Sequence, residues 1–264
     1  MTRKIIEINN LHYTYPDGSR ALAGITLDVF EGDSVGIIGS NGAGKSTFLL
    51  HLNGILRSNG AVRIKGMEMT DKNLPHIRSM VGLVFQDPDN QLFMPTVFDD
   101  VGFGPINMGL KKNEVETRVQ SALKEVDMLA FVKKSSHHLS IGEKKRVAIA
   151  TVLSMNPQIL VLDEPTSNLD PKRRQELIDL LNRLSLTKII AAHDLDLISQ
   201  TCSKIALMDQ GRIVALGPAS NILHDETTLA ILGIKTHDLI SASPNALRKP
   251  PTMPIKLAEE SDLD

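Results

Sequence analysis

The chain has almost no cysteine, no surplus of either charge and no long apolar run, and each shortage removes a class of protein. Cys202 is the single cysteine among 264 residues, which excludes an internal disulfide framework and suits a reducing compartment. The 29 basic residues against 31 acidic ones leave a net charge of −2, so there is no electrostatic case for nucleic acid or an anionic membrane surface. No apolar stretch approaches the roughly 18 residues needed to cross a bilayer. The N-terminus, Met1-Thr-Arg-Lys-Ile-Ile-Glu7, is not a signal peptide, because Glu7 and Asn9 interrupt any apolar region. The adjacent pair His137-His138 has no Cys/His spacing around it to complete a metal site and reads as loop. A soluble chain is expected, one whose membrane role, if any, comes through a partner.

What is present falls into three stretches. From Lys4 to about Phe85, β-rich runs recur: Ile5–Ile8, Ile25–Val29, Val35–Ile38, Ala61–Lys65 and Met80–Phe85, separated by turn clusters such as Pro16-Asp-Gly18 and Asn59-Gly60. From about Thr96 to His138 the pattern turns helical. Val115, Val119, Ala122, Leu123, Val126 and Leu129 recur at three- and four-residue spacing and predict a helix over Glu114–Leu129. Beyond Gln158, the runs Ile159–Leu162, Lys188–Ala191 and Ile205–Met208 have the continuous apolar character of a parallel sheet covered on both faces. Pro171–Leu184 and Leu195–Cys202 supply its crossover helices. After about Ser241 the chain becomes proline-rich, then acidic, and reads as a flexible tail.

The strongest chemical signal is Gly39-Ser40-Asn41-Gly42-Ala43-Gly44-Lys45-Ser46-Thr47, which fits the phosphate-binding pattern G-x-x-x-x-G-K-[ST]. It follows a strand-like run and leads into the helical Phe48-Leu-Leu-His-Leu52. Small residues let successive N–H groups curl around an anion, and the following helix N-terminus adds to the attraction. Lys45 would reach the β- and γ-phosphates of a nucleoside triphosphate, and Ser46 would ligate Mg²⁺. The second signal is Ile159-Leu-Val-Leu-Asp163-Glu164, a carboxylate pair ending a buried strand, where open α/β sheets bind ligands. Asp163 would hold the Mg²⁺ shell, and Glu164 would orient or deprotonate a water aimed at the γ-phosphate.

Leu139-Ser-Ile-Gly-Glu-Lys-Lys-Arg-Val-Ala-Ile-Ala150 resembles the signature of ABC-transporter ATPases, usually written LSGGQ. Just downstream, Asp163-Glu-Pro-Thr-Ser-Asn-Leu-Asp170 looks like that family's Walker B and D-loop. The resemblance runs over about residues 4–225. It implies an α/β P-loop NTPase (ABC ATPase) fold with a mostly parallel sheet core, an N-terminal antiparallel β-subdomain and an inserted helical subdomain at about 95–150. The ATPase domain is expected over residues 1–235, with 236–264 as the tail. It also implies two ATPase domains dimerising head to tail, so that Ser140, Gly142 and Glu143 of one meet the ATP on the P-loop of the other. Ser140 is placed as an N-cap, with Glu143 completing a capping box. The signature departs from the family twice, with Ile141 for Gly and Glu143 for Gln. A β-branched residue resists positive φ, so Ile141 predicts ordinary backbone there.

Further carry-overs follow from the same resemblance. Tyr15 looks like the aromatic that stacks on adenine, with Tyr13 as its competitor. Gln86 resembles the Q-loop glutamine that touches Mg²⁺ and senses a membrane partner, and His193 the switch histidine at the γ-phosphate. Asp170 would work across the dimer. Gly82–Phe93 is similar to the Q-loop region of energy-coupling-factor importers, and its continuation, Met94–Leu110, looks most like their cobalt and nickel branch. Within this stretch Leu92, Phe93 and Met94 are either core or the lining of a groove for a membrane subunit. The expected function is ATP hydrolysis (Glu164, His193, Gln86) at the cytoplasmic face of the membrane, with ATP and Mg²⁺ as cofactors. A second copy or a paralogous ATPase, and integral membrane subunits, are the expected partners; nucleic acid is not. Vitamin uptake is the runner-up. DNA-repair and translation ABC ATPases carry a long coiled coil or a second ATPase domain that this chain lacks, and a P-loop kinase or GTPase would have no use for the signature.

Overall fold

The computed structural model describes residues 3–58, 60–225 and 256–257. The chain opens with a long hairpin, β1 (Lys4–Thr14) and β2 (Arg20–Phe30), turned at Asp17, whose carboxylate accepts from Ser19 N and Oγ at 2.9 and 2.6 Å. Then come β3 (Ser34–Ile38), α1 (Lys45–Leu52), β4 (Val62–Ile64), β5 (Met67–Glu68), α2 (Leu74–Met80) and β6 (Val81–Val84). Three helices follow, α3 (Val97–Asn107), α4 (Lys112–Glu125) and α5 (Ile141–Leu153). The last stretch alternates β7 (Ile159–Asp163), α6 (Pro171–Arg183), β8 (Thr187–Ala191), α7 (Leu195–Thr201) and β9 (Lys204–Asp209). It closes with β10 (Arg212–Pro218), α8 (Ala219–Ile222) and β11 (Lys256–Leu257).

Among the described residues these strands make two sheets. The first is antiparallel, in the order β2-β1-β4-β5; the second runs β11-β10-β9-β3-β8-β7-β6, parallel from β9 to β6. Alternation along the parallel strands sends side chains to two cores. Val35, Ile37, Ile159, Val161 and Ile189 face the antiparallel sheet and α1, whereas Leu160, Leu162 and Ile190 face the helices. Both faces are covered, which is why these runs are apolar without a polar phase. The fold is the α/β arrangement expected, with a mostly parallel core and a separate antiparallel sheet.

Local chemistry explains where boundaries differ from expectation. β1 continues past Ile8 to Thr14, because pairing with β2 carries through the polar Asn9-Asn10 step with shifts of register. Asn10 there takes φ +46°, a conformation asparagine tolerates better than most residues. α4 stops at Glu125 rather than Leu129, because Asp127 is left-handed at φ +59°. Its face of Val115, Val119, Ala122 and Leu123 is buried as the spacing predicts, each large side chain contributing about 1.5–3 kcal/mol of transfer free energy. β6 ends at Val84: Phe85 N donates to Gln91 Oε1 at 3.1 Å instead of joining the ladder. The predicted tail lies outside the described residues except for Lys256–Leu257, which pair antiparallel with Leu216 and Ala215.

Candidate functional site

The four segments singled out in the sequence leave adjacent strands of the parallel sheet at the same rim. In the order β3-β8-β7-β6, the C-terminal ends carry the Gly39–Thr47 loop, His193, Asp163-Glu164 and Gln86. That rim is where open α/β sheets bind ligands. A cavity of about 830 Å³ lies there, within the range of small-ligand sites. It is lined by Tyr15, Ser19, Arg20, Gly39 to Gly42, Gly44 to Thr47, Gln86, Glu164 and His193, among others.

The Gly39–Thr47 loop is shaped by glycines it cannot do without. A Cβ on Gly39 would stand 2.2 Å from Met208 O, and one on Gly44, at φ +98°, would stand 2.5 Å from Ala21 O. Ala43 turns its methyl into the core beneath the loop, and its N–H donates to Ser40 O at 3.2 Å. Lys45 opens α1 and is nearly buried, with Nζ donating to Gly39 O and Ser40 O at 2.8 and 3.1 Å. The two tyrosines meet edge to face, ring centroids 5.0 Å apart, and differ in what else they touch. Tyr15 borders the cavity and its hydroxyl bonds Thr47 Oγ1 at 2.9 Å, whereas Tyr13 packs edge-on against His51.

Of the carboxylate pair, Glu164 lines the cavity, and Asp163 precedes it at the end of β7. Burial pushes the Asp163 carboxyl up, and Glu164 adds to the rise while the Ser46 hydroxyl and Lys45 oppose it. Asp163 Oδ1 is buried without a protein partner. A hydroxyl beside a half-satisfied carboxylate is a set of hard oxygen donors, the kind Mg²⁺ takes, so the residues present fit that ion. Glu164 is 7% exposed and sits at φ +43°, a strained conformation for a side chain of its kind. Its backbone is held there from all sides: N donates to Ala191 O at 2.8 Å, and O accepts from Ser167 N, Ser167 Oγ and Lys145 Nζ. The carboxylate meets His193 twice, through the backbone N (3.1 and 3.3 Å) and through Nδ1 at 2.8 Å. That contact orients an exposed imidazole ring whose Nε2 is left free of Glu164.

A network that sequence reasoning missed fixes this rim from behind. Asp194, the N-cap of α7, accepts from Thr166 Oγ1 at 2.8 Å and from both Arg174 Nε and Nη2. Arg174 thereby ties α6 to the residue after His193. Lys145 of α5 is 4% exposed and donates to Gln86 O, Glu164 O and Ser167 Oγ at 3.1, 3.2 and 3.1 Å. Burial pushes its pKa down to about 8, against the pull of Asp87, Glu164 and Asp163. Only tertiary contacts reveal either residue.

Ser140, Gly142 and Glu143 lie away from this cavity, and the latter two border a separate one of about 480 Å³. The capping box is present: Glu143 N donates to Ser140 Oγ, and Glu143 Oε2 accepts from Ser140 N and Oγ at 2.8 and 2.7 Å. Ile141 is the first residue of α5, with ordinary helical backbone. Asp170 caps its own helix, accepting from Lys172 N and Arg173 N at 3.0 Å. Of the two readings of Leu92–Met94, core holds for Leu92, 3% exposed, whereas Phe93 is 60% exposed, with Phe103, Ile106 and Met108 beside or beyond it on and after α3. His137-His138 belongs to a short 3-10 turn, and no cluster of three or more His, Cys, Asp or Glu side chains that could hold a metal ion occurs among the described residues.

Comparison with known proteins agrees with this geometry. The ABC transporter family model matches residues 22–167. A putative ABC transporter ATP-binding protein of Geobacter sulfurreducens is 52% identical over 87% of this chain and 93% of its own length. The energy-coupling factor transporter ATP-binding protein EcfA of Methanococcus maripaludis is 49% identical over 85% of this chain and 83% of its own. Among solved structures, cbiO1 from Clostridium perfringens, described as part of the ABC transporter complex cbiONQ, is 37% identical. It superposes with a TM-score of 0.76 over 90% of this chain and 97% of that one. The ATP-binding cassette MJ0796, solved as a dimer with ADP and Pi, is 27% identical with a TM-score of 0.74, over 81% and 99% of the two chains. A P-loop, a carboxylate pair and a histidine on one sheet rim, in a chain so closely matched, make this protein a member of the ABC transporter family, an ATPase subunit of the energy-coupling-factor type.

Proposed function

We propose that the chain powers uptake of a transition-metal ion, cobalt or nickel, by hydrolysing ATP between two cassettes docked on integral membrane subunits at the cytoplasmic face. The observation that carries the ATPase part is the Glu164–His193 pair facing the P-loop across one cavity. ATP's phosphates lie on the Gly39–Thr47 amides with Lys45 against the outer ones, and Tyr15 stacks on the base. Ser46, Asp163 and Gln86 would hold Mg²⁺, which would screen the charge on the phosphates. Glu164 takes the proton of the attacking water, and His193, both of whose ring nitrogens donate when it is charged, meets Glu164 through Nδ1 and donates from Nε2–H to the γ-phosphate.

Gly142 supports the head-to-tail pairing. A Cβ there would meet only the Arg173 side chain at 3.6 Å, so this chain's own packing does not require glycine. The glycine leaves that capped helix N-terminus open to a group from outside, such as the phosphate of a second copy's ATP. The cargo reading rests on the likeness to cbiO1 and on the Gly82–Leu110 segment. Docking is supported by the Phe93 patch, in which the Phe93 and Phe103 rings meet edge to face at 5.1 Å. Buried Asp100 holds that segment rigid, its Oδ1 accepting from Phe93 N and Met94 N at 2.9 Å.

Affinity purification from native membranes, followed by identification of what is retained, tests the assembly. Integral membrane subunits and a cobalt or nickel uptake defect on deletion are the expected results; a vitamin-uptake defect would move the cargo to the runner-up. The double substitution Phe93→Asp, Phe103→Ser should shed the membrane subunits while ATP still binds. If the complex survives it, docking lies elsewhere. Tyr15→Ala should raise KM for ATP roughly tenfold, since base stacking is worth about 1–3 kcal/mol, with kcat little changed. An unaltered KM would remove Tyr15 from the adenine site.

A further inference from the structure

We infer that Lys145 is the positioning residue through which a chain's own ATP site is mechanically joined to the signature helix it offers to the other copy. The inference rests on the two-copy reading above and extends it to a residue with no place in the chemistry. α5 begins with the Ser140–Glu143 cap, and Lys145 is one turn further along the same helix, three residues after Gly142. Its three ammonium protons go to three different stations: Gln86 O after β6, Glu164 O after β7 and Ser167 Oγ in the turn leading to Asp170. Ser167 Oγ in turn donates to Glu164 O at 2.9 Å, so the stations are also linked to one another.

The consequence is geometric. An ammonium that is 4% exposed has no water to take the place of a lost partner, and leaving one donor unpaired there costs more than an ordinary hydrogen bond. Movement of Gln86 or Glu164 when nucleotide arrives must therefore carry α5 with it, or break a buried charge-assisted contact. Carrying α5 displaces Ser140 and Gly142, the half of the clamp that closes on the second copy's ATP. Lys144–Asp89 and Gln91–Ala148 O also tie α5 to the segment after Gln86, but Lys145 alone of these reaches Glu164 as well. Occupancy of one site is therefore felt at the other through it, without any group of Lys145 touching substrate.

The test is steady-state ATPase of the full chain as a function of ATP, for the parent, Lys145→Met and Lys145→Gln. Methionine fills the space without donors; glutamine restores two of them. The parent should show a sigmoidal dependence. Lys145→Met should bind a fluorescent ATP analogue within about threefold of the parent, yet lose roughly tenfold in kcat and turn hyperbolic, the size of loss expected for about 1.4 kcal/mol. Lys145→Gln should recover much of both. Ser167→Ala, which removes one station without opening a cavity, should give a weaker version of the same change and guards against a misfolded Lys145→Met. A cooperative Lys145→Met with parental kcat would overturn the inference. So would loss of affinity in step with kcat and no recovery in Lys145→Gln, which is the behaviour of a merely structural residue. A parent that is hyperbolic and stays monomeric with ATP would instead sink the two-copy reading, and this inference with it.

Discussion

Glu164→Gln is expected to bind ATP as the parent does and to hydrolyse it roughly 10²–10⁴-fold more slowly, the usual contribution of a positioned general base. The substitution keeps size and shape. The glutamine carbonyl can still accept from His193 N, and the backbone bonds that hold residue 164 at φ +43° do not involve the side chain. What disappears is the basic oxygen that the His193 Nδ1 contact orients. ATP then persists where it was bound, and the two-copy assembly should accumulate, visible as a shift in elution volume on adding Mg·ATP. Turnover at the parental rate would remove Glu164 from proton transfer. Slow turnover without the shift would keep its role and count against the trapped pair.

Lys45→Ala is expected to weaken ATP binding by at least roughly 10²-fold, the effect of deleting a charge that meets phosphate in a nearly buried setting, worth about 2–5 kcal/mol. Lys45 is 8% exposed and its Nζ already closes the loop through Gly39 O and Ser40 O. The variant thus loses both the phosphate contact and part of what shapes the loop. Lys45→Arg keeps the charge but cannot seat a planar fork in the space of one ammonium, and should remain impaired. Titration calorimetry decides the matter: affinity unchanged in Lys45→Ala would remove the P-loop reading altogether.

Much of this site was legible because its chemistry is local. The Gly39–Thr47 loop announces itself through residues that only that backbone path needs, and Asp163-Glu164 through an apolar run that ends abruptly in charge. The strands β7, β8 and β9 were readable for the related reason that burial on both faces leaves no polar phase. What stayed hidden is whatever two distant segments decide together. Lys145 sits in Lys144-Lys145-Arg146, a run that reads as a solvated helix face, yet Lys144 pairs with Asp89 and Arg146 with Glu176 while Lys145 alone turns inward. Arg174 and Asp194 are twenty positions apart, and nothing near either marks the other. Leu92 and Phe93 are neighbours of like character, and only the fold decides that one is core and the other exposed. α2 was missed for a plainer reason: at seven residues with a proline in its first turn, it carries too little periodicity to register.

The lone thiol has a practical use. Cys202 is buried, and burial pushes its pKa up, so maleimides should pass it by. The native polypeptide is thus already a nearly silent background for site-directed fluorophores. Ser185, exposed in the connection that enters β8 from the opposite end of the strands, is a place to attach one without crowding the nucleotide. A dye there on each subunit would let energy transfer follow opening and closing in real time, with no cysteine to remove first.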